Sequence, residues 1–315
     1  MQNHFASAQS QAFAGLTVLE RGWLSSNNIV LHAGPDDGGA VLIDSGHVRH
    51  AAQTLALVER ALAGTALHCL INTHLHSDHC GGNASLQRRF ACQVLIPPGQ
   101  WDAVCRWDEA ALSYRSTGQQ CERFVPDARL QPGSSVSVGA RHWQVLATPG
   151  HDPHAVMLFD AANGVLITAD ALWENGFGVI FPELEGEQAF DDQQRVLELI
   201  TRLDARWVIP GHGAPFGDVA QAVGRAQRRL KGFVADPARH AHHATKVLLK
   251  YHLLEVQQEP WTAALQWLQA APLVQTVWER NGQPAGSLTA YGERLLQELC
   301  ASGALTLREG VLHNH

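Results

Sequence analysis

The sequence predicts an α+β protein, with a large sheet-based domain over residues 1–235 and a small, mainly helical domain over 236–315. Three observations carry that reading. Short apolar runs of strand length, bounded by Gly, Pro and Asp, recur through the first two thirds of the chain. Four of them, 67–71, 143–147, 165–167 and 207–209, lead directly into loops bearing His or Asp, two of them through a Gly or Pro. Beyond Asp236-Pro237 the apolar residues fall at helical spacing instead. Rigid strands that deliver polar loops in this repeated order place all four loops at one sheet edge, facing a common cleft.

The densest of these loops is Thr73-His74-Leu75-His76-Ser77-Asp78-His79. Neutral imidazole is the commonest metal ligand, and carboxylate completes sites for Zn, Fe or Mn. One loop is not enough, because each metal takes four or more donors with room for water. The missing donors stand in Thr148-Pro149-Gly150-His151, Thr168-Ala169-Asp170 and Pro210-Gly211-His212-Gly213.

Composition narrows the function. A net charge of −7 argues against broad attraction to nucleic acid or an anionic membrane. No apolar run approaches the length of a membrane span. Met1–Gly15 holds no Lys or Arg and no long apolar stretch, so it reads as a polar arm, not a secretory signal. Six cysteines without Cys-x-x-Cys spacing fit reduced thiols in a cytoplasmic chain. Cys80, next to His79, reads as part of a helix start, not as a ligand.

In chain order, 16–20 and 28–32 alternate as strands, 35–39 is a turn by composition, and 40–43 resumes the hairpin. Asp44 closes that strand at the metal edge. Residues 48–63 have helical spacing and stop at Gly64, with a helix over 83–90 and a strand over 93–96 after the metal loop. The stretch 101–124, with Trp101, Trp107 and Tyr114, is a cleft cover or a packed surface helix pair. Strands at 134–138, 142–147, 155–159 and 164–168 lead to His151 and Asp170. His154 is a candidate support for the site. The loop 171–188 offers Trp173, Phe177 and Phe181 as an apolar substrate wall, while its glutamates at 183, 185 and 187 argue against a strongly anionic ligand. An amphipathic helix over 189–203 precedes the strand before His212. The helix over 218–234 carries Arg225, Arg228, Arg229 and Lys231, which read as a solvated face. His47, His50, His240, His242 and His243 read as surface residues.

Taken together, His-x-His-x-Asp-His, Thr-Pro-Gly-His, the Asp after a strand and Pro-Gly-His-Gly resemble the metallo-β-lactamase superfamily over about residues 16–231. The resemblance implies an αββα sandwich with two divalent metals. His74, His76 and His151 would hold the first, Asp78, His79 and His212 the second, with Asp170 bridging and Asp44 supporting a ligand histidine from behind. Two positions depart from the family pattern without touching a ligand: Pro153-His154 where many members have Gly-His, and Ala169 where Gly is usual. The implied chemistry is hydrolysis by a metal-bridging hydroxide, with Asp78 or a metal-bound water handing a proton to the leaving group. A glyoxalase II-like thioester or ester of a small molecule is the first expectation. A lactonase or a phosphodiesterase/ribonuclease is the alternative, and a ligand-sensing regulatory protein with a poorly active site is the alternative of another class. Helices over 245–257, 261–280 and 287–300 and a terminal hairpin resemble the winged-helix-like appendage of some members. With six Lys or Arg balanced by six Glu from Pro237 onward, this region is expected to be a lid, a substrate wall or a homodimer contact, not a nucleic-acid reader.

Overall fold

Two sheets packed face to face form the centre of the computed structural model, which describes residues 8–34 and 37–314. The expected N-terminal arm, as far as residue 7, and Pro35-Asp36 of the expected turn lie outside the described residues. The first sheet runs in the order β1 (Leu16–Leu19), β2 (Asn28–Leu31), β3 (Ala40–Ile43), β4 (Leu67–Ile71), β5 (Gln93–Ile96), β6 (Ala128–Arg129). The second sheet contains β7 (Ser135–Val138), β8 (Arg141–Ala147), β9 (Val156–Asp160), β10 (Val165–Ala169) and β11 (Trp207–Pro210), in the order β11-β10-β9-β8-β7.

The apolar runs are continuous because these strands are covered on both faces. Ile29, Val41, Ile43 and Ile71 alternate inward and meet Val156, Leu158, Ile167 and Ile209 from the other sheet, around the fully buried Trp143. The intervening residues Val30, Leu42 and Leu70 face outward onto helices that include Ala51–Leu62 and Asn83–Phe90. Met157, Leu166 and Val208 do the same on the other side, under Phe190–Arg202 and Val219–Ala235. The layers are therefore αββα. The chain fold is that of the metallo-β-lactamase sandwich.

Strand direction makes the site. β3 and β4 are parallel, so Asp44 and the 73–79 loop emerge at the same edge. β8 and β10 both run antiparallel to β9, and β11 is parallel to β10, which brings His151, Asp170 and His212 to one edge of the second sheet. A bond from Val156 N to Thr73 O, 2.9 Å, ties the two edges together.

At Asp236-Pro237, the expected boundary, one helix follows another directly. Val219–Ala235 and Pro237–Val256 are consecutive helices, and Asp236 caps the second by accepting from Arg239 N. Pro237 occupies the first helical turn, where its missing N–H costs nothing. The expected helix over 261–280 breaks at Ala271-Pro272 into Trp261–Ala270 and Pro272–Arg280. After Leu288–Ala301, the hairpin β13 (Leu305–Arg308) and β14 (Val311–Asn314) gains a third strand, β12 (Gln258–Pro260), against β14. The core of this region includes Val179 and Leu184 from the long loop after β10, so the two parts share packed surface.

Ala169 sits at a bulge between β10 and β11 with φ +46°. An L-residue there carries roughly 1 kcal/mol of strain, about what glycine would lose in chain entropy. Ala169→Gly is therefore expected to shift stability by less than about 1 kcal/mol. Ala169→Val places a β-branched side chain at positive φ in a buried position and should cost about 2 kcal/mol or more. Urea denaturation of both variants checks this; equal effects would remove the strain argument.

Candidate metal centre

Two groups of buried donors face each other at the joined edges. His74, His76 and His151 form one, and Asp78, His79, Asp170 and His212 the other, with the donor atoms of each group within 4.8 Å of one another. In the first, His76 Nδ1 lies 3.1 Å from His74 Nε2 and 2.8 Å from His151 Nε2. In the second, His212 Nε2 is 3.0 Å from Asp78 Oδ2. Asp170 lies between them: Oδ1 is 3.5 Å from His79 Nε2, and Oδ2 is 3.4 Å from His151 Nε2.

Groups behind the donors fix their orientation. Asp44 accepts from Thr73 N at 2.9 Å and Thr73 Oγ1 at 2.8 Å, and its Oδ2 is 2.8 Å from His79 Nδ1. That contact leaves His79 Nε2 as the nitrogen facing Asp78 and Asp170. His151 Nδ1 donates to Val179 O, so its Nε2 presents a lone pair to the centre. The edges are further joined through the 22–27 loop: Ser26 N donates to Asp78 O, Asn27 N to Gly211 O, and Asn27 Nδ2 to Pro210 O.

The donor chemistry fits a pair of divalent cations. Burial pushes His76 down to about 4 and His74 well below its ordinary value, so both are neutral ligands at neutral pH. Burial opposes charge on Asp78, yet His79 and His212 hold its carboxyl at about 2. Asp170 is likewise held well below the carboxylate range, its own burial being outweighed by His79 and His212. On His79 burial is outweighed by Asp44, Asp170 and Asp78, which drive it well above the usual imidazole value. Its Nε2 is buried without a hydrogen-bond partner. Neutral imidazoles, ionised carboxylates and an unpartnered inward nitrogen are what a cation pair requires. Mixed N and O donors suit Zn, Fe and Mn alike.

The remaining sequence-predicted residues divide. Trp173 and Phe181 line a cleft of about 580 Å³ above the donors. Phe181 packs edge-on to His76 and His151, with ring centres 4.9 and 5.6 Å away. Phe177 does not line the cleft; it is buried, and packs on Phe233. His154 is exposed with its ring against Gly99, and does not join the centre. Buried Asp152 stands behind the site instead, with Oδ2 3.8 Å from His76 Nε2. Cys80 Sγ turns away toward Leu75 O, His76 O and Tyr114. Glu183 caps the next helix by accepting from Ala189 N and Phe190 N, so it does not oppose an anion in the cleft. His47 and His240 are buried, contrary to the surface reading: His47 packs on Tyr251, and His240 accepts from Ile180 N.

Sequence reasoning missed Trp23 and Gln119, and began at 245 a helix that the structure begins at Pro237. Trp23 stacks on His212 at 5.3 Å and 9°, and meets Trp173 edge-on. The signal was topological, because β2 runs antiparallel to β3 and must begin at the edge where β3 ends. From the helix, His243, Lys246, Val247, Tyr251 and Leu254 wall the cleft, and Tyr251 Oη lies 3.1 Å from Ser77 Oγ.

With this geometry the class is defined. The profile of the Metallo-beta-lactamase superfamily matches residues 21–212, more than half the chain, and the protein belongs to that superfamily. A hydroxyacylglutathione hydrolase from Nitrobacter winogradskyi is 33% identical over 159 residues, 50% of this chain and 52% of that protein. An acyl-coenzyme A thioesterase from Gallus gallus is 29% identical over 162 residues, 47% of this chain and 57% of that protein. The chain thus spans about half the length of these curated relatives. A beta-lactamase domain protein from Burkholderia ambifaria shares the fold at a TM-score of 0.57 and 21% identity, over 96% of this chain and 92% of the other. A protein solved in a di-iron-bound form, 26% identical, superposes at 0.52 over 67% of this chain and 97% of its own.

Gly211 tests the packing of the centre. A Cβ on it would lie 2.2 Å from Asp170 Oδ1 and 3.1 Å from both the Ala169 carbonyl carbon and His79 Cε1. Gly211→Ala is expected to displace Asp170 and lose at least one metal per chain by elemental analysis, with the circular dichroism of the fold retained. Full metal content in that variant would contradict the placement of Asp170.

Proposed function

We propose that the protein is a dinuclear metal-dependent hydrolase acting on an acyl thioester of a small molecule. The observation that carries this reading is the paired donor centre at the floor of a cleft walled by Trp173, Phe181, Val247 and Leu254. The names of the two curated relatives both describe hydrolysis at an acyl–sulfur bond, which supports the choice of thioester over lactone or phosphodiester.

His74, His76 and His151 would hold one cation, Asp78, His79 and His212 the other, with Asp170 shared. Such a pair lowers the pKa of water toward about 7 and polarises the acyl oxygen. The protein groups do the rest. Phe181 and Trp173 exclude water around the acyl chain and orient its carbonyl over the centre. Asp78, an ionised carboxylate, accepts a proton before it can give one, which refines its expected role as a donor. Water oxygen bonds to the acyl carbon, the C–S bond breaks with its electron pair on sulfur, and the proton taken by Asp78 ends on the thiol.

Metal-loaded protein is expected to hydrolyse acyl thioesters at least about tenfold faster, in kcat/KM, than lactones or bis(p-nitrophenyl) phosphate. Asp170→Asn should lose one metal and about a hundredfold in rate, the scale of disturbed ligand shells. A fast phosphodiesterase with slow thioester turnover would overturn the substrate choice. Slow turnover of the whole panel would favour the ligand-sensing reading.

A further inference from the structure

The Arg-rich helix Val219–Ala235 has an unexpected neighbour. A second cavity, of about 470 Å³, lies against it, lined by Arg228, Arg229, Arg239, His242, His243 and Lys246. No Asp or Glu is among the described residues that line it. Arg229, His243 and Lys246 line the cleft over the donor centre as well, so the two spaces share a wall.

Arg229 is built in, not splayed into solvent. Its guanidinium lies 5.4 Å from the ring centres of both Phe177 and Phe233. Its Nη2 donates to His243 Nε2 at 2.6 Å, which needs a neutral imidazole. Burial and the nearby Arg229 push His243 down to about 3, in accord with that bond. Among the described residues no ion pair takes up Arg228, Arg229 or Arg239; Glu298 serves His242, Lys246 and Arg294 from outside the lining. A solvated helix face would explain cations on one helix. It does not explain why two consecutive helices turn arginines into one concavity, where their like charges repel. An anion removes that repulsion.

We propose that this cavity receives the phosphate-bearing end of the thiol carrier, so that the thioester taken by the cleft is of the coenzyme A class. The proposal rests on the thioester reading given above. Planar guanidinium forks match phosphate oxygens, and several of them suit a group carrying more than one negative charge. Coenzyme A holds its phosphates at the end remote from sulfur, joined by a long neutral arm that can pass along the shared wall. Glutathione offers carboxylates offset by an ammonium group, a lower net negative charge than the coenzyme A phosphates, so a cluster of cations favours it less. A concavity of about 470 Å³ also fits a small ligand better than the extended basic stripe that a nucleic-acid strand requires.

Calorimetry on the full, metal-loaded chain tests the assignment with coenzyme A, with pantetheine, and with a short single-stranded oligonucleotide. The first two share the thiol, so their difference reports the phosphate end. Coenzyme A is expected to bind at least about tenfold tighter than pantetheine, an advantage that weakens as salt rises. Arg228 and Arg239 are exposed, so Arg228→Gln/Arg239→Gln should keep its melting temperature and metal content, yet cut the advantage below about threefold. Equal binding of coenzyme A and pantetheine to the unaltered protein overturns the subsite. An oligonucleotide bound as tightly as coenzyme A, and lost in the same variant, overturns it too. Turnover separates this from the parent reading. A coenzyme A preference in binding with no thioester hydrolysis keeps the subsite and rejects the thioesterase. Hydrolysis of acyl-pantetheine and acyl-coenzyme A at equal kcat/KM, without that preference, does the reverse.

Discussion

Three carboxylates and five imidazoles are buried together where the two sheets meet, and the rest of the molecule is arranged to hold them there. Burying an ionised carboxylate costs several kcal/mol unless a counter-charge and hydrogen bonds are close. Asp44 has its share in Thr73 and His79. Asp78 and Asp170 face each other's partners instead, with imidazoles that burial holds neutral on one side. Cations between the two groups resolve the imbalance. The geometry is therefore a constraint before it is a mechanism.

Much of this was legible because the donors are placed by strands. Period-2 alternation and strand length are strong signals in doubly covered sheets, and a loop that follows such a strand inherits its direction. All seven expected donors come together for that reason. What failed was reasoning about single residues off the strands. His154 follows His151 by only three positions, yet the turn through Asp152 and Pro153 carries it out to Gly99. Phe177 looked like a cleft wall by composition, but composition does not say which side of a loop faces inward. His47 and His240 are buried because helices far away in sequence cover them, which no local pattern reports.

The same limit left the last quarter of the chain open between a lid, a substrate wall and a homodimer contact. Its helices were readable, and Pro272 is a local signal for the break at Ala271, but the strand Gln258–Pro260 depends on a partner elsewhere. Helix Pro237–Val256 walls the cleft because Asp236 turns it directly off the preceding helix, with no linker to let it drift. Charge balance over this region suggested neutrality toward anions. Balance in sequence is not balance in space: Glu298 pairs with His242, Lys246 and Arg294, while Arg239 joins Arg228 and Arg229 of the preceding helix.

Anomalous diffraction at the Zn, Fe and Mn edges, on crystals of protein purified without chelator, tests the central claim most directly. The account predicts two peaks per chain, one within the His74, His76 and His151 donors and one within the Asp78, His79 and His212 donors, with Asp170 between them. A single peak at full occupancy, or peaks only at exposed histidines, would contradict it.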